Sequence, residues 1–356
     1  MTDNHTDKGQ PLVSFALFAY EHERFIQEAV EGALNQSYSP LEIILSDDCS
    51  SDKTFDIMSA MVHDYDGPHK IILNRNTHNL GLIEHVNSVL NMCSGDLVAF
   101  AAGDDVSLPE RVSTLARYWQ KEPGISVISS SYINIDGNGD TIDDPIWQTN
   151  LSEATIIEGS KEALVEHIIE DAHSIAGCTE AVVINKHLPF KPIPPETILE
   201  DRVFTFRALL LDGILFVPER LVLYRAHENN VFNPINNSNE IMRSAIEKEN
   251  RAQFVKKHKY DVLNVYLVEL TKARRANIID NPTYKDFKNL LENRSYLLGK
   301  QSVWWELRFN QKLAVLINMI RYGFYGKIKW AIIRLMPYKI FIDLRQKRIN
   351  RSQFAK

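Results

Sequence analysis

The chain is poor in cysteine: Cys49, Cys93 and Cys178 are the only three in 356 residues. An odd and widely spaced set is neither a disulfide framework nor a zinc cluster, and it points to a reducing, cytoplasmic compartment. Long apolar runs are also missing, since LAVLINMI (313–320) falls far short of the roughly 20 residues a spanning helix needs. The first ten residues, MTDNHTDKGQ, contain acids and no apolar centre, which excludes a signal peptide and predicts a loose tail over 1–10. Glycine is absent from AYEHERF, residues 19–25, directly after the first apolar run. A dinucleotide-binding dehydrogenase would need a glycine-rich loop there.

What is present is an ordinary globular composition, 44% hydrophobic and 24% charged, with a strong charge asymmetry. Residues 251–356 hold 23 Lys and Arg against 7 Asp and Glu, whereas residues 1–250 hold 17 against 39. The length allows two or three domains at about 100 to 200 residues each. A basic block of this kind serves nucleic acid, an anionic membrane surface or a solvated face.

From Leu12 the pattern alternates between short β-rich apolar runs and stretches with helical spacing. PLVSFALFAY, EIILSDD, KIILN and DLVAFAA read as strands. Between them, Phe25, Ala29 and Ala33, then Phe55, Met58 and Met61, then Ile83, Val86 and Leu90 recur as the apolar faces of helices. This order predicts an α/β fold with a mainly parallel sheet covered on both faces. In such sheets the ligand binds beyond the carboxyl ends of the strands, where Tyr20, Asp47, Asp48, Asp104 and Asp105 fall. Asp104 and Asp105 are adjacent acids with no cation within five residues, so a divalent metal is expected to neutralise them. An Asx turn or a helix start also accounts for such a pair. After it, Ser107 and Glu110 are spaced as a capping box, with Pro109 in the first helical turn. Further on, ISVISSSYINI and AGCTEAVVIN read as strands, SKEALVEHIIE and the stretch from Glu200 as helices, and GILFVPERLVLYRAHENN as two short strands. Beyond about residue 236 the spacing is helical, over 238–276 and again over 285–344 with breaks.

Three segments taken in order resemble one family: LVSFALFAYEHERFIQEAVEGALNQSYSPLEIILSDDCSSDKT, NLGLIEHVNSVLNMCSGDLVAFAAGDD and LEDRVFTFRALLLDGILFVPERLVLYRAH. They resemble the inverting family 2 glycosyltransferases of bacterial surface-polysaccharide type, which have a GT-A fold. The resemblance implies a catalytic domain over 11–235, with a nucleotide-binding half (11–110) and an acceptor half (111–235), followed by a basic helical region over 236–356. It implies transfer of a hexosyl or N-acetylhexosaminyl group from a nucleotide-diphosphate sugar, most often UDP-linked, to a glycan or lipid-linked acceptor, with Mn²⁺ or Mg²⁺. By family position Asp105 is the metal ligand, Asp104 faces the ribose or shares the metal, and His227 ligates the metal or touches the diphosphate. Asp47 or Asp48 accepts the base N–H, Tyr20 offers it an aromatic face, Arg225 neutralises phosphate, and Asn79 approaches the nucleotide or caps a helix. Asp201 is the expected general base, with Glu200 beside it, and Gly177 in the Ala176–Glu180 loop allows a sugar to approach closely. Two acids at a helix start also stabilise its dipole without any catalysis. Ala102 departs from the family, many members of which have an aspartate two residues before the pair.

The resemblance ends before the basic third. There Arg321, Lys327, Lys329 and Arg334 interleave with Tyr322, Phe324 and Trp330, a mixture that suits an anionic membrane interface. A helical subdomain with a solvated basic face, or a homo-oligomer contact, explains it as well. Nucleic-acid binding is not expected, because no recognised fold accompanies the charge. Two other functions stay open: a metal-dependent nucleotidyltransferase and a non-catalytic binder of sugar nucleotides.

Overall fold

The computed structural model describes residues 10–142, 153–170, 175–227, 245–321, 328–335 and 337–353. The expected tail, part of the loop after Asp140, the segment 228–244 and the side chains of residues 322–330 lie outside the described residues. The chain divides into two compact units, one of residues 1–226 with 275–279, the other of residues 227–274 with 280–356.

In the first unit the predicted alternation is realised as β1 (Val13–Ala19), α1 (Ile26–Leu34), β2 (Leu41–Asp47), α2 (Thr54–His63), β3 (Lys70–Arg75), α3 (Leu82–Leu90) and β4 (Leu97–Ala102). The next elements are β5 (Val106–Ser107), α4 (Arg111–Lys121), β6 (Val127–Ile135), β7 (Thr155–Ile157) and α5 (Lys161–Glu170). A single 3-10 turn, Gly177–Thr179, then leads into β8 (Glu180–Val183), α6 (Ile184–His187), α7 (Glu200–Leu210) and β9 (Ile214–Arg225). Among the described residues nine strands form one sheet in the order β3-β2-β1-β4-β8-β6-β9-β5, with β7 on β9. The first four are parallel, as runs such as VSFALFA, buried on both faces, require. β8 then inserts antiparallel between β4 and β6, and β9 runs parallel to β6. One end of the sheet therefore collects the exits of β1, β2, β4 and β9 together with the entry of β8.

Two local expectations give way. No capping box forms: α4 starts at Arg111, and the Ser107 hydroxyl instead accepts the Arg111 guanidinium at 2.8 Å. Pro109 accordingly lies in the turn before the helix, and Ser107 in a short strand. The two short strands expected over 214–225 are one strand, because Pro218, which has no N–H to donate, sits at a bulge where the register against β6 shifts.

The second unit is helical among its described residues: α8 (Ala245–Arg275), α9 (Asn281–Ser302), α10 (Phe309–Arg321), α11 (Ile328–Ile333) and α12 (Tyr338–Gln353). Asp280 caps α9 by accepting the Thr283 N–H at 2.8 Å. Trp304 is fully buried and donates its indole N–H to the Arg334 carbonyl at 2.9 Å. Arg334, read from the sequence as an interfacial cation, is itself buried with its guanidinium 4.7 Å from the Phe341 ring centre. None of the described helices is long and apolar enough to cross a membrane.

Candidate active site

The exits of β1 and β2 are laced together. The Ser50 hydroxyl accepts the Glu21 N–H, the Glu21 carboxylate accepts the Ser51 N–H, and the Thr54 hydroxyl accepts the His22 N–H, each at 2.8 Å. Glu21 and Cys49 hold positive φ angles of 57° and 63°, a conformation that non-glycine residues rarely adopt and that clusters at functional sites. Asp47 and Asp48 are buried in this lacework. Asp47 accepts the Ser50 N–H at 3.0 Å and faces Arg75 Nε at 3.4 Å. Asp48 accepts the Asn76 amide at 2.7 Å and the N–H groups of Leu80 and Gly81 at 2.9 Å. Both carboxylates thus hold the floor of the sheet end together. Tyr20, the residue after β1, is 46% exposed. Asn79 is exposed and accepts the Gly81 N–H at 2.9 Å, in the loop that starts α3.

Asp104 and Asp105 leave β4 at the same end. Asp105 is buried, and its Oδ1 accepts the Arg225 backbone N–H at 2.8 Å while the Cys178 thiol bonds the same carboxyl. Burial, then the charge of Asp104, raise its pKa well above the usual carboxylate range. Asp104 remains partly open, with His22 Nε2 3.9 Å from its Oδ2. Gly103 makes room for that histidine: a Cβ there would stand 2.6 Å from His22 Nδ1. The Arg225 guanidinium is buried and engaged, donating to the Asp104 carbonyl at 2.9 Å and to Glu28 at 2.8 Å. His227, also buried, is the first residue of the second unit.

Glu200 and Asp201 open α7 as expected. The 3-10 turn Gly177–Thr179 bridges the two acidic pairs, with Cys178 on Asp105 and Gly177 against Glu200. A Cβ at Gly177 would lie 2.6 Å from Glu200 Oε1, so here the close approach is made by a carboxylate of the protein itself. Burial, then Asp201, push Glu200 up to about 8.

Sequence reasoning missed Glu180, the first residue of β8. It is fully buried, neither side-chain oxygen has a hydrogen-bond partner, and burial followed by Glu200 and Asp201 raises its pKa strongly. It also missed Arg111, whose buried guanidinium donates to the Phe100 carbonyl at 2.6 Å and to the Glu180 carbonyl at 3.4 Å. A fair signal for Glu180 was an acid inside an otherwise apolar strand run. Nothing local marked Arg111 or His22.

Among the described residues no three His, Cys, Asp or Glu side chains gather as metal ligands. Asp104 and Asp105 still fit Mg²⁺ or Mn²⁺, because such ions commonly take one or two carboxylates and complete their shell with phosphate oxygens and water. The unfavourable ionisation of Asp105 beside Asp104 is what a cation would relieve.

Asp47, Asp48, Asp104 and Asp105 lie within residues 14–163, which match the sequence model of the family described as Glycosyl transferase family 2, and Glu180, Glu200 and Asp201 lie beyond them. Residues 14–163 therefore resemble a family 2 glycosyltransferase domain. An uncharacterized glycosyltransferase of Haemophilus influenzae is 26% identical over 317 residues, 84% of this chain and 90% of that protein. An Escherichia coli enzyme, UDP-Glc:alpha-D-GlcNAc-diphosphoundecaprenol beta-1,3-glucosyltransferase WfaP, is 31% identical over 125 residues, 35% of this chain and 48% of its own. Crystalline S. aureus TarS 1–349 in complex with UDP-GlcNAc superposes with a TM-score of 0.55 at 15% identity, covering 92% of this chain and 82% of that one. The last likeness shows the fold: a GT-A-like α/β sheet followed by a helical C-terminal region.

Proposed function

We propose that this glycosyltransferase moves a hexosyl or N-acetylhexosaminyl group from a UDP-sugar to a glycan or lipid-linked acceptor with inversion at the anomeric carbon, in surface-polysaccharide assembly. The observation that carries the reading is the meeting of two acidic pairs at one sheet end, Asp104–Asp105 and Glu200–Asp201, across the turn at Gly177 and Cys178. The first pair would hold the divalent cation with the diphosphate, and the second would face the acceptor. UDP-linked relatives and neighbours support the donor class, and the diphosphoundecaprenol acceptor of the Escherichia coli relative supports a lipid-linked acceptor.

Bound there, the cation offsets the charge that grows on the departing diphosphate. The chain supplies the remaining steps. Tyr20 presents an aromatic face to the base, over a floor fixed by Asp47 and Asp48. Asp201 takes the proton of the acceptor hydroxyl as that oxygen bonds to the anomeric carbon and the bond to the diphosphate breaks. Glu200, protonated below about pH 8, keeps the base from sharing the site with a second full negative charge. A fixed base on the acceptor side is what a single displacement requires, and a nucleotidyltransferase or a simple binder has no use for it.

The test is nucleotide release and product configuration with UDP-sugars, with and without EDTA. Release that needs metal and acceptor, giving a product of inverted configuration, is expected. A product that retains the donor configuration, or no release with any donor, contradicts the proposal.

A further inference from the structure

Helix α10 of the second unit has two apolar faces. The inward one is packed: Val315 and Met319 are buried, and the Lys312 ammonium is tucked 5.1 Å from the Trp305 ring centre. Among the described residues the outward one has no such cover. Phe309, Leu313, Ile317 and Ile320 are 65%, 42%, 57% and 48% exposed. Spacings of four, four and three residues set them in one stripe along the helix. Single exposed apolar residues are ordinary, but four large ones in a row mark a surface that meets something. On α12, Ile340 and Leu344 repeat the pattern one turn apart, 52% and 54% exposed.

The charge around the stripe selects the partner. Residues 307–342 hold seven Lys and Arg, of which Lys312 and Arg334 are buried and Arg308, Arg321 and Lys339 exposed, and the nearest acids are Glu306 and Asp343 at the two borders of this stretch. Arg308 and Arg321 are exposed at the two ends of the stripe. A second copy of the chain would bring two such basic segments together, which costs energy. Apolar side chains flanked by the exposed cations Arg308 and Arg321 on α10 match the boundary between headgroups and acyl chains in a leaflet rich in anionic phospholipid.

We propose that the outward stripe of α10 is a membrane-docking face, with Phe309, Leu313, Ile317 and Ile320 seated among the acyl chains of an anionic leaflet and the basic residues at its headgroups. This deepens the proposed function by stating where a lipid-linked acceptor is met, and it rests on that reading only for this consequence. Vesicle binding needs no nucleotide, so it fails or succeeds independently of transfer.

The experiment is co-sedimentation of the full chain with phosphatidylglycerol vesicles and with phosphatidylcholine vesicles, at low and high salt. The wild type is expected to pellet with the anionic vesicles, with salt weakening the binding. A Phe309→Ser/Ile317→Ser double variant should lose about tenfold or more in vesicle affinity at an unchanged melting temperature, and Ile317→Trp should tighten binding. A wild type that stays in the supernatant with anionic vesicles overturns the proposal. So does a double variant that pellets like the wild type, or a soluble dimer that the double variant dissociates.

Discussion

The two units handle charge in opposite ways. The sheet unit sets a buried carboxyl group beside partly buried ones: Asp105 beside Asp104, and Glu180 beside Glu200 and Asp201. The helical unit keeps most of its charge in water and exposes apolar surface, along α10. Burying like charges costs several kcal/mol unless something compensates. A fold that keeps such groups at one sheet end is prepared for a cation and a proton transfer. Exposing an apolar stripe among cations costs less, and prepares a surface for a partner. The contrast separates a place for chemistry from a place for docking.

The contrast can be broken first at the chemistry. Asp201→Asn should slow transfer about 100-fold or more, as loss of a general base does, while donor affinity measured by calorimetry stays near the wild-type value. Equal turnover would remove Asp201 from the reaction. Next comes the buried cation beneath the carboxyl cluster. Arg111→Leu should destabilise the sheet unit by about 3 kcal/mol in urea unfolding, because it strips a buried charge from its acceptors. A loss under about 0.5 kcal/mol, the range of an ordinary surface change, would show that the cluster does not need it.

A smaller effect is expected at Glu180. Its pKa in the folded chain is raised, so the stability due to its protonated form is complete below the ordinary carboxylate value and drains away as pH rises through the raised one. Glu200 behaves in the same sense up to about pH 8. Glu180→Gln cannot ionise. It should therefore melt close to the wild type at pH 5 and several degrees higher at pH 8. Equal melting temperatures at both pH values would mean that the cluster is compensated. The smallest effect belongs to the other unit, where Leu313→Ser on the exposed stripe should change stability by no more than about 0.5 kcal/mol. A larger loss would mean that the stripe is packed.

Much of the sheet unit was legible because its signals are local. VSFALFA and LVAFAA are apolar runs closed by polar turns, and the acids follow them directly. The pairing of distant segments was not legible. Arg225 lies 120 residues from Asp105, to which its backbone N–H donates, and Cys178 reaches the same carboxyl from a loop read only by position. Arg225 itself was read as a phosphate ligand, whereas its guanidinium is engaged with Glu28 and the Asp104 carbonyl. The α10 stripe was half legible: LAVLINMI is visibly apolar, but its division into a packed face and an outward face depends on Trp304 and Trp305, which the spacing alone does not reveal.

The account rests most on Asp104 and Asp105 as the seat of a metal-bound nucleotide. Thermal denaturation of the protein with UDP-, GDP-, CMP- and dTDP-sugars, each with Mn²⁺ or with EDTA, tests it directly, since binding to the native state raises the melting temperature. The account predicts a rise with UDP-sugars that requires Mn²⁺ and disappears in Asp104→Asn. No rise with any donor, or a rise that persists in EDTA and in the variant, would contradict it.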